Sequence, residues 1–158
     1  MVFCIMTYDM SWYIVIYMIY DKRPKDFSLK FQVVSCYIEY QGTLLFLHRS
    51  IHKSHGGMWG VPAGKVEGGE TNDDAMVREI VEETGLSIDK NSLNFLKSIF
   101  VRHSGYDFIY HMYKLEINEI PKIKINSTEH QDYKWATPQE ALSLDLVTDL
   151  DECIKMYY

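Results

Sequence analysis

The chain has 158 residues, 47% hydrophobic and 24% charged, which is close to a soluble globular average. This length suits one domain whose core needs no disulfide or metal to fold. The formal net charge of −6 argues against a broad basic surface for nucleic acid, although an acidic protein can bind phosphates through divalent cations. The cysteines, Cys4, Cys36 and Cys153, are odd in number and lack metal-site spacing, which predicts free thiols in a reducing cytoplasm.

The N-terminal segment is apolar and aromatic from Met10 to Tyr20, and the charged segment Asp21–Asp26 follows it. The apolar run is shorter than the roughly 20 residues of a membrane span. It also lacks the basic region and cleavage site of a signal peptide, so we predict no membrane partner. Trp12–Tyr17 is rich in β-branched and aromatic residues and predicts a buried strand. Residues 1–26 are therefore interpreted as an extension that contains a strand, with a membrane anchor or a later start at Met10 or Met18 as alternatives.

Residues 27–158 are interpreted as the main domain. Two strands joined by a turn at Gln41–Gly42 predict a hairpin, and a polar loop, a short extended piece and a glycine-rich loop follow. The predicted boundaries are strands Phe31–Tyr40 and Thr43–His48, loop Ser50–Gly57, extended Trp59–Val61 and loop Ala63–Glu70. The later elements are predicted as strands Leu93–Val101, Phe108–Ile117 and Tyr133–Trp135, then helices Pro138–Leu142 and Val147–Tyr157. This order indicates an α+β fold with a mixed sheet flanked by helices.

The best-defined helix is predicted from Thr71 to Gly85. Thr71 can cap its first turn together with Asp74, and Gly85 supplies a left-handed end. At about 100° per residue one stripe is apolar, which predicts these buried residues: Met76, Val77, Ile80, Val81 and Thr84. The opposite side presents three carboxylates together: Glu79, Glu82 and Glu83.

Three carboxylates at this spacing repel each other unless something offsets their charge. A hard cation such as Mg²⁺ prefers oxygen ligands and would do so. Arg78 can hold one glutamate by a charge-assisted hydrogen bond, and a carbonyl near Ala63–Gly64 is a candidate ligand. The alternative is a solvated acidic helix face that binds nothing.

The complete pattern in this window is more specific than the glutamates alone. It consists of Gly64, Glu70, Arg78, Glu79, Ile80, Glu82, Glu83, Gly85 and Leu86. These residues match every defining position of the Nudix box, so the sequence resembles the Nudix hydrolases, which include the MutT-type enzymes. The likeness in element order covers roughly Phe31–Tyr157, and it includes the approach Trp59–Gly64 and the later Glu129–Trp135.

The resemblance implies the Nudix fold, a mixed β-sheet between helices (α/β/α), and hydrolysis of a nucleoside diphosphate derivative. It implies that Mg²⁺, or Mn²⁺, is held by these residues: the Ala63 carbonyl, Glu79, Glu82, Glu83 and Glu129. Asp132 is a second choice for the later carboxylate. Glu79 is our first choice for the proton acceptor and Glu129 the alternative, with Arg78 orienting Glu79. Structural parts of the motif are Gly64, Glu70 and Gly85.

Substrate contacts are less specific in the sequence. Arg49 is a candidate for binding a substrate phosphate, and Trp59 for stacking on a base. Phe100, His103 and Tyr106 are weaker candidates for a base pocket. The preferred substrate is a nucleoside triphosphate, including an oxidised one; the alternatives are a nucleotide sugar or a dinucleoside polyphosphate, and a module that binds a nucleotide without cutting it. We expect a monomer or a homodimer.

Overall fold

The computed structural model describes residues 2–8 and 14–158. Within them the chain forms nine strands: β1 Val2–Tyr8, β2 Ile14–Tyr20, β3 Leu29–Tyr40, β4 Thr43–Arg49, β5 Trp59–Gly60, β6 Ala63–Lys65, β7 Asn94–His103, β8 Tyr106–Glu116 and β9 His130–Ala136. The helices of these residues are α1 Asn72–Thr84, α2 Pro138–Ala141 and α3 Leu150–Lys155, with a 3₁₀ turn at Lys90–Ser92.

The strands form one mixed sheet in the order β1-β2-β7-β8-β3-β4-β5, while β6 pairs with β3 and β9 pairs with β4. β3 and β8 are parallel, and the other named strand pairs are antiparallel. The predicted hairpin is confirmed: Gln41 and Gly42 both have positive φ, 47° and 80°, as a tight two-residue turn requires. Its two strands separate after two residue pairs, because β4 turns to pair with β9 along its length.

A hydrophobic core lies on each face of the sheet. Alternation along β3 divides its side chains, so that Val34, Cys36 and Ile38 pack with α1, whereas Tyr37 packs on the opposite side with α2 and α3. The α1 side buries Met76, and the other side includes these helix residues: Ala141, Leu150, Cys153 and Ile154. The expected arrangement of a mixed sheet between helices is confirmed.

Helix α1 has the predicted ends. The Thr71 hydroxyl accepts a hydrogen bond from the Asp74 N–H at 3.2 Å, and Gly85 has φ 71°. The predicted burial was wrong in one respect, because Val81 is 44% exposed while Glu79 and Glu83 are buried. The loop before the helix returns across its carboxylate side as β6, so this side of α1 is covered by protein as well.

The N-terminal extension is continuous with the sheet. The predicted strand Trp12–Tyr17 overlaps β2 in residues 14–17, and Trp12 and Tyr13 lie outside the described residues. β2 pairs with β7 through Met18–Tyr20, and Ile19 is 2% exposed within the core. β1 was not predicted and pairs with β2. Among the helices of the described residues, none has the length and apolar character required to span a bilayer.

We expect a chain that begins at Met18 to keep the fold, because it retains the residues of β2 that pair with β7. In the full chain we expect Ile19→Ala to lower the free energy of unfolding by about 2–5 kcal/mol, since a buried methyl-rich side chain leaves a cavity. Urea unfolding followed by circular dichroism measures both changes. An unfolded or aggregated Met18 chain would show that β1 and the start of β2 are required for folding.

Candidate active site

The carboxylate of Glu83 is held at both oxygens. The backbone N–H of Ala63 donates to Oε2 at 3.0 Å, and Nε2 of His130 lies 2.9 Å from Oε1. Glu83 is only 4% exposed. A buried carboxylate is costly unless donors satisfy it, and these two contacts fix its position between β6 and the start of β9.

Glu79 lies against the backbone of Gly64. A Cβ atom added at Gly64 would overlap the carboxylate carbon and both carboxylate oxygens of Glu79. Gly64 does not have a positive φ, so the close approach of the Glu79 carboxylate explains the glycine at this position.

Arg78 connects the loop of residues 63–70, called the box loop here, to helix α1. Its guanidinium donates to both oxygens of Glu70, at 2.7 and 3.2 Å, and to the Lys65 carbonyl at 3.0 Å. It also donates to Glu79 Oε1 at 2.7 Å and reaches Glu82 at 3.4 Å. Only the planar multi-donor group of arginine makes this set of contacts. The contact between Arg78 and Glu79 is the one on which the expected orienting role would depend.

Glu70 closes the loop onto itself. Besides its contact with Arg78, its Oε1 accepts the backbone N–H of Glu67 at 2.6 Å. Arg78 holds the pKa of the Glu70 carboxyl below its usual range. Glu70 thus lies where the expected structural role would place it, fixing the glycine-rich turn to α1.

Glu129 and His130 bring the later part of the chain to the same place. Glu83, Glu129 and His130 each offer one ligand atom within 4.8 Å of the others. The side chain of Glu129 is 38% exposed and lies 3.5 Å from Lys53. Glu129 was predicted from the sequence, whereas His130, which is 2% exposed, was not. Its position directly after Glu129, at the start of a strand, was the available signal.

The electrostatics of the site favour a cation. Burial is the largest cause that raises the pKa of Glu79, and the neighbouring Glu83 and Glu82 raise it further, while Arg78 opposes them. Glu82 is more open, with its side chain 55% exposed. Two buried carboxylates and two more exposed ones, Glu82 and Glu129, form an oxygen-rich donor set that suits Mg²⁺ or Mn²⁺. The residues therefore fit a divalent cation.

A cavity of about 350 Å³ lies next to the segment 63–65. It is lined by the backbone segment Ala63–Lys65, by Arg49, and by aromatic and polar side chains of the sheet and the C-terminal segment: Phe31, Tyr106, Phe108, Tyr110, Thr148 and Asp149. Apolar walls with a few polar groups are typical of small-molecule sites. Tyr106 was a weak candidate in the sequence and does line this cavity, whereas Phe100 and His103 do not.

Asp149 was not selected from the sequence. It is a non-glycine residue with φ 67°, and its side chain does not cap the following helix α3. Burial, together with the nearby Asp151 and Glu152, raises its pKa to about 6. Strained backbone and a perturbed carboxyl in a cavity wall together mark a candidate ligand-binding group.

The two predicted substrate contacts have different surroundings. Arg49 lines the cavity, and its Nε donates to the Ser54 carbonyl at 2.9 Å. Trp59 does not line the cavity: its ring stacks on His48 at a centroid distance of 4.4 Å, and Lys134 Nζ lies 5.1 Å from its centroid. The structure therefore places Trp59 outside this cavity, with its ring packed against neighbouring side chains.

Comparisons with known proteins agree with this architecture. A family model described as NUDIX domain matches residues 30–157. The CTP pyrophosphohydrolase of Escherichia coli (strain K12) is 31% identical over 115 residues, which cover 73% of this chain and 82% of that protein. The MutT protein from Methanosarcina mazei Go1 has a TM-score of 0.69 at 22% identity, with 80% of this chain and 91% of that chain covered. A C. elegans Ap4A hydrolase has a TM-score of 0.63 at 20% identity, with 81% of this chain and 95% of that chain covered.

The fold and the box glutamates thus define a Nudix domain. The chain belongs to the Nudix hydrolase family and is MutT-like. The resemblance stated from residues 64–86 is confirmed at the level of the family.

We expect Gly64→Ala to reduce turnover by about 100-fold or more, because the new methyl group displaces the Glu79 carboxylate and small displacements in a reacting site have effects of this size. Gly68→Ala is the matched control, since a Cβ there meets no atom within 4 Å and its φ is not positive. Steady-state kinetics on both variants, with melting curves to check folding, measure the difference. Equal activity in the two would contradict the close packing of Glu79 on Gly64.

Proposed function

We propose that the protein is a Mg²⁺-dependent hydrolase that cleaves a phosphoanhydride bond in a nucleoside triphosphate. The observation that carries this proposal is that Glu79, Glu82 and Glu83 lie close together on α1, with Glu129 close to Glu83, and that the neighbouring segment 63–65 lines a cavity of about 350 Å³. All the box carboxylates expected for a catalytic member are present, which disfavours a module that only binds nucleotides. Cys36 and Cys153 are free and buried, in keeping with the reducing cytoplasm that we propose.

The metal ligands that we propose are Glu79, Glu82, Glu83, Glu129 and the Ala63 carbonyl. A bound Mg²⁺, or Mn²⁺ in its place, would polarise the phosphoryl oxygens and make a bound water more acidic. The protein's own part is to keep these oxygens close together despite their mutual repulsion. Arg78, the Ala63 N–H and His130 do this by binding the carboxylates from outside the cluster.

Glu79 is our candidate for the group that accepts the proton of the attacking water. Its burial raises its pKa, which makes its carboxylate a stronger base than an exposed glutamate. Arg78 and the backbone of Gly64 restrict the direction in which this carboxylate can point. Glu129 remains the alternative base, since its side chain is 38% exposed and its carboxylate lies within 4.8 Å of that of Glu83.

The cavity is our proposed nucleoside site. The Ala63–Lys65 segment separates it from the carboxylate cluster, so a nucleotide with its base in the cavity can extend its phosphates past the box loop. Arg49 and Lys65 line this cavity and are the cations we propose for the phosphates. Among the cavity-lining aromatic rings, Phe31 and Phe108 stack on each other at 5.2 Å, and a base can pack beside them.

The size of the cavity favours a mononucleotide over a substrate with two nucleosides. Its volume of about 350 Å³ can enclose one base, and the C. elegans relative that hydrolyses Ap4A shares the fold alone at 20% identity. The Escherichia coli relative, at 31% identity, is a CTP pyrophosphohydrolase, so CTP is our first substrate to test. An oxidised triphosphate stays in the proposal, with a nucleotide sugar or a dinucleoside polyphosphate as the alternative.

The proposal is tested by phosphate and pyrophosphate release from a panel of these compounds, with and without Mg²⁺. We expect Mg²⁺-dependent turnover of a triphosphate. We expect Glu82→Gln and Glu83→Gln each to reduce this turnover by at least about 10- to 100-fold. Loss of a group that supports a metal ligand has an effect of this size, and loss of the ligand itself should have at least the same effect.

Glu119→Gln, which makes the same charge change at an exposed turn, is expected to leave turnover unchanged. Full Mg²⁺-dependent turnover in both box variants would disprove the site assignment. Nucleotide binding without turnover in the native protein would favour the binding module instead.

Asp149 gives a prediction on pH. Its pKa is raised from 3.8 to about 6 in the folded protein, so the folded state binds this proton more tightly than the unfolded state. The ionised carboxylate therefore destabilises the fold increasingly as pH rises from about 4 to 6, with the full effect above pH 6. We expect Asp149→Asn to raise the free energy of unfolding at pH 7 by at most about 3 kcal/mol, with no gain below pH 4.

If the Asp149 carboxylate also accepts a base N–H, the same variant should raise KM for the preferred triphosphate. Urea unfolding at pH 4 and pH 7, with kinetics at pH 7, measures the two effects separately. A native and a variant protein with the same pH dependence of stability would show that Asp149 titrates normally.

A further inference from the structure

We propose that His130 is a positioning residue for Glu83: it holds the carboxylate in the direction needed for cation binding without itself binding the cation. This inference rests on the proposed function, since it concerns the same metal site. It adds a residue outside the Nudix box, at the start of β9. The affinity of the site for a cation depends on this residue.

The contact between the two side chains is short and buried. Nε2 of His130 lies 2.9 Å from Oε1 of Glu83, and the two side chains are 2% and 5% exposed. An ionised carboxylate only accepts hydrogen bonds, so the imidazole carries its proton on Nε2 and donates it. With the Ala63 N–H on Oε2, each oxygen of Glu83 has one protein donor and keeps further lone-pair directions for a cation.

The backbone around His130 is anchored to the end of α1. The N–H of Lys124 donates to the Thr84 carbonyl at 2.8 Å, and the N–H of Asn126 donates to the Glu83 carbonyl at 3.3 Å. The N–H of His130 itself donates to the Asn126 carbonyl at 2.9 Å. These contacts connect the residue that holds the Glu83 side chain to the backbone of Glu83, so the imidazole and the carboxylate keep a constant relation.

The other ring nitrogen takes no part in holding the ring. Nδ1 of His130 is buried and has no hydrogen-bond partner within the described part of the chain. The ring is thus held through Nε2 and by its packing. Because the Nε2 that faces the cluster is the protonated nitrogen, it has no lone pair for a cation. A cation can bind without changing this arrangement if it approaches Glu83 from the side opposite the imidazole.

The first test measures Mn²⁺ binding to the nucleotide-free protein by calorimetry. We expect His130→Leu to weaken Mn²⁺ binding by about 10- to 100-fold, the usual effect of removing a group that supports a metal ligand. His130→Gln, whose amide can still donate to Glu83, is expected to restore most of the affinity. His111→Leu is the matched control, because His111 is also buried, at 7% exposure, and contacts Gln32 and Ser98 but no box glutamate.

The control variant is expected to lower the melting temperature and leave the Mn²⁺ affinity of the folded protein within about threefold of native. Native affinity in His130→Leu would overturn the proposal, and so would a failure of His130→Gln to recover affinity above that of His130→Leu.

A second measurement uses the native protein and does not depend on how the variants fold. Long-range ¹H–¹⁵N spectra report which histidine nitrogen is protonated, and we expect Nε2–H at His130 both without and with Mg²⁺. Nitrogen hyperfine coupling from His130 to bound Mn²⁺ would overturn the proposal by showing direct ligation. A native protein that binds Mn²⁺ but cleaves no nucleotide would contradict the proposed function instead, and leave the inference on His130 standing.

Discussion

The close approach of α1 to β6 is the constraint on which the site depends. The carboxylate of Glu79 rests against the Cα of Gly64, with no room for a side chain between them. One residue earlier, the Ala63 N–H binds Glu83, one helical turn further along α1. A single backbone segment therefore fixes two carboxylates, and the same segment forms part of the cavity wall. The chemical site and the cavity are adjacent because they share this segment.

Burying these carboxylates is unfavourable in itself, and the surrounding contacts show how the protein tolerates it. Arg78 neutralises part of the charge and joins Glu79 to Glu70 and to the Lys65 carbonyl. The Ala63 N–H on β6 and the His130 imidazole on β9 form hydrogen bonds with the two carboxylate oxygens of Glu83. The pKa of Glu79 still remains raised, chiefly by burial. A site that keeps such unfavourable charge is suited to a divalent cation, which would gain from the same oxygens that repel each other.

β3 organises the two faces of the sheet. Its residues Phe31 and Val33 line the cavity, whereas Val34 and Cys36 pack toward α1. β3 also pairs with β6, so the strand that carries the box loop is attached directly to the strand that divides the two cores. Alternation of side chains along one strand thus directs some residues of β3 toward the cavity and others toward the core under α1.

The features that could be predicted from the sequence are those that arise from neighbouring residues. The ends of α1 at Thr71 and Gly85, the turn at Gln41–Gly42 and the box from Gly64 to Leu86 all depend on local geometry, and the family followed from the box. The exposure of Val81 could not be predicted in this way. The apolar stripe describes an isolated helix, whereas in the fold the returning loop covers the carboxylate side of α1 and Val81 stays exposed.

Only the tertiary structure brought His130, 47 residues beyond Glu83, into contact with it, and only the fold placed Asp149 in the cavity wall. These contacts join residues that are distant in the chain. No local pattern records such pairs, because strand pairing and helix packing decide which distant side chains meet.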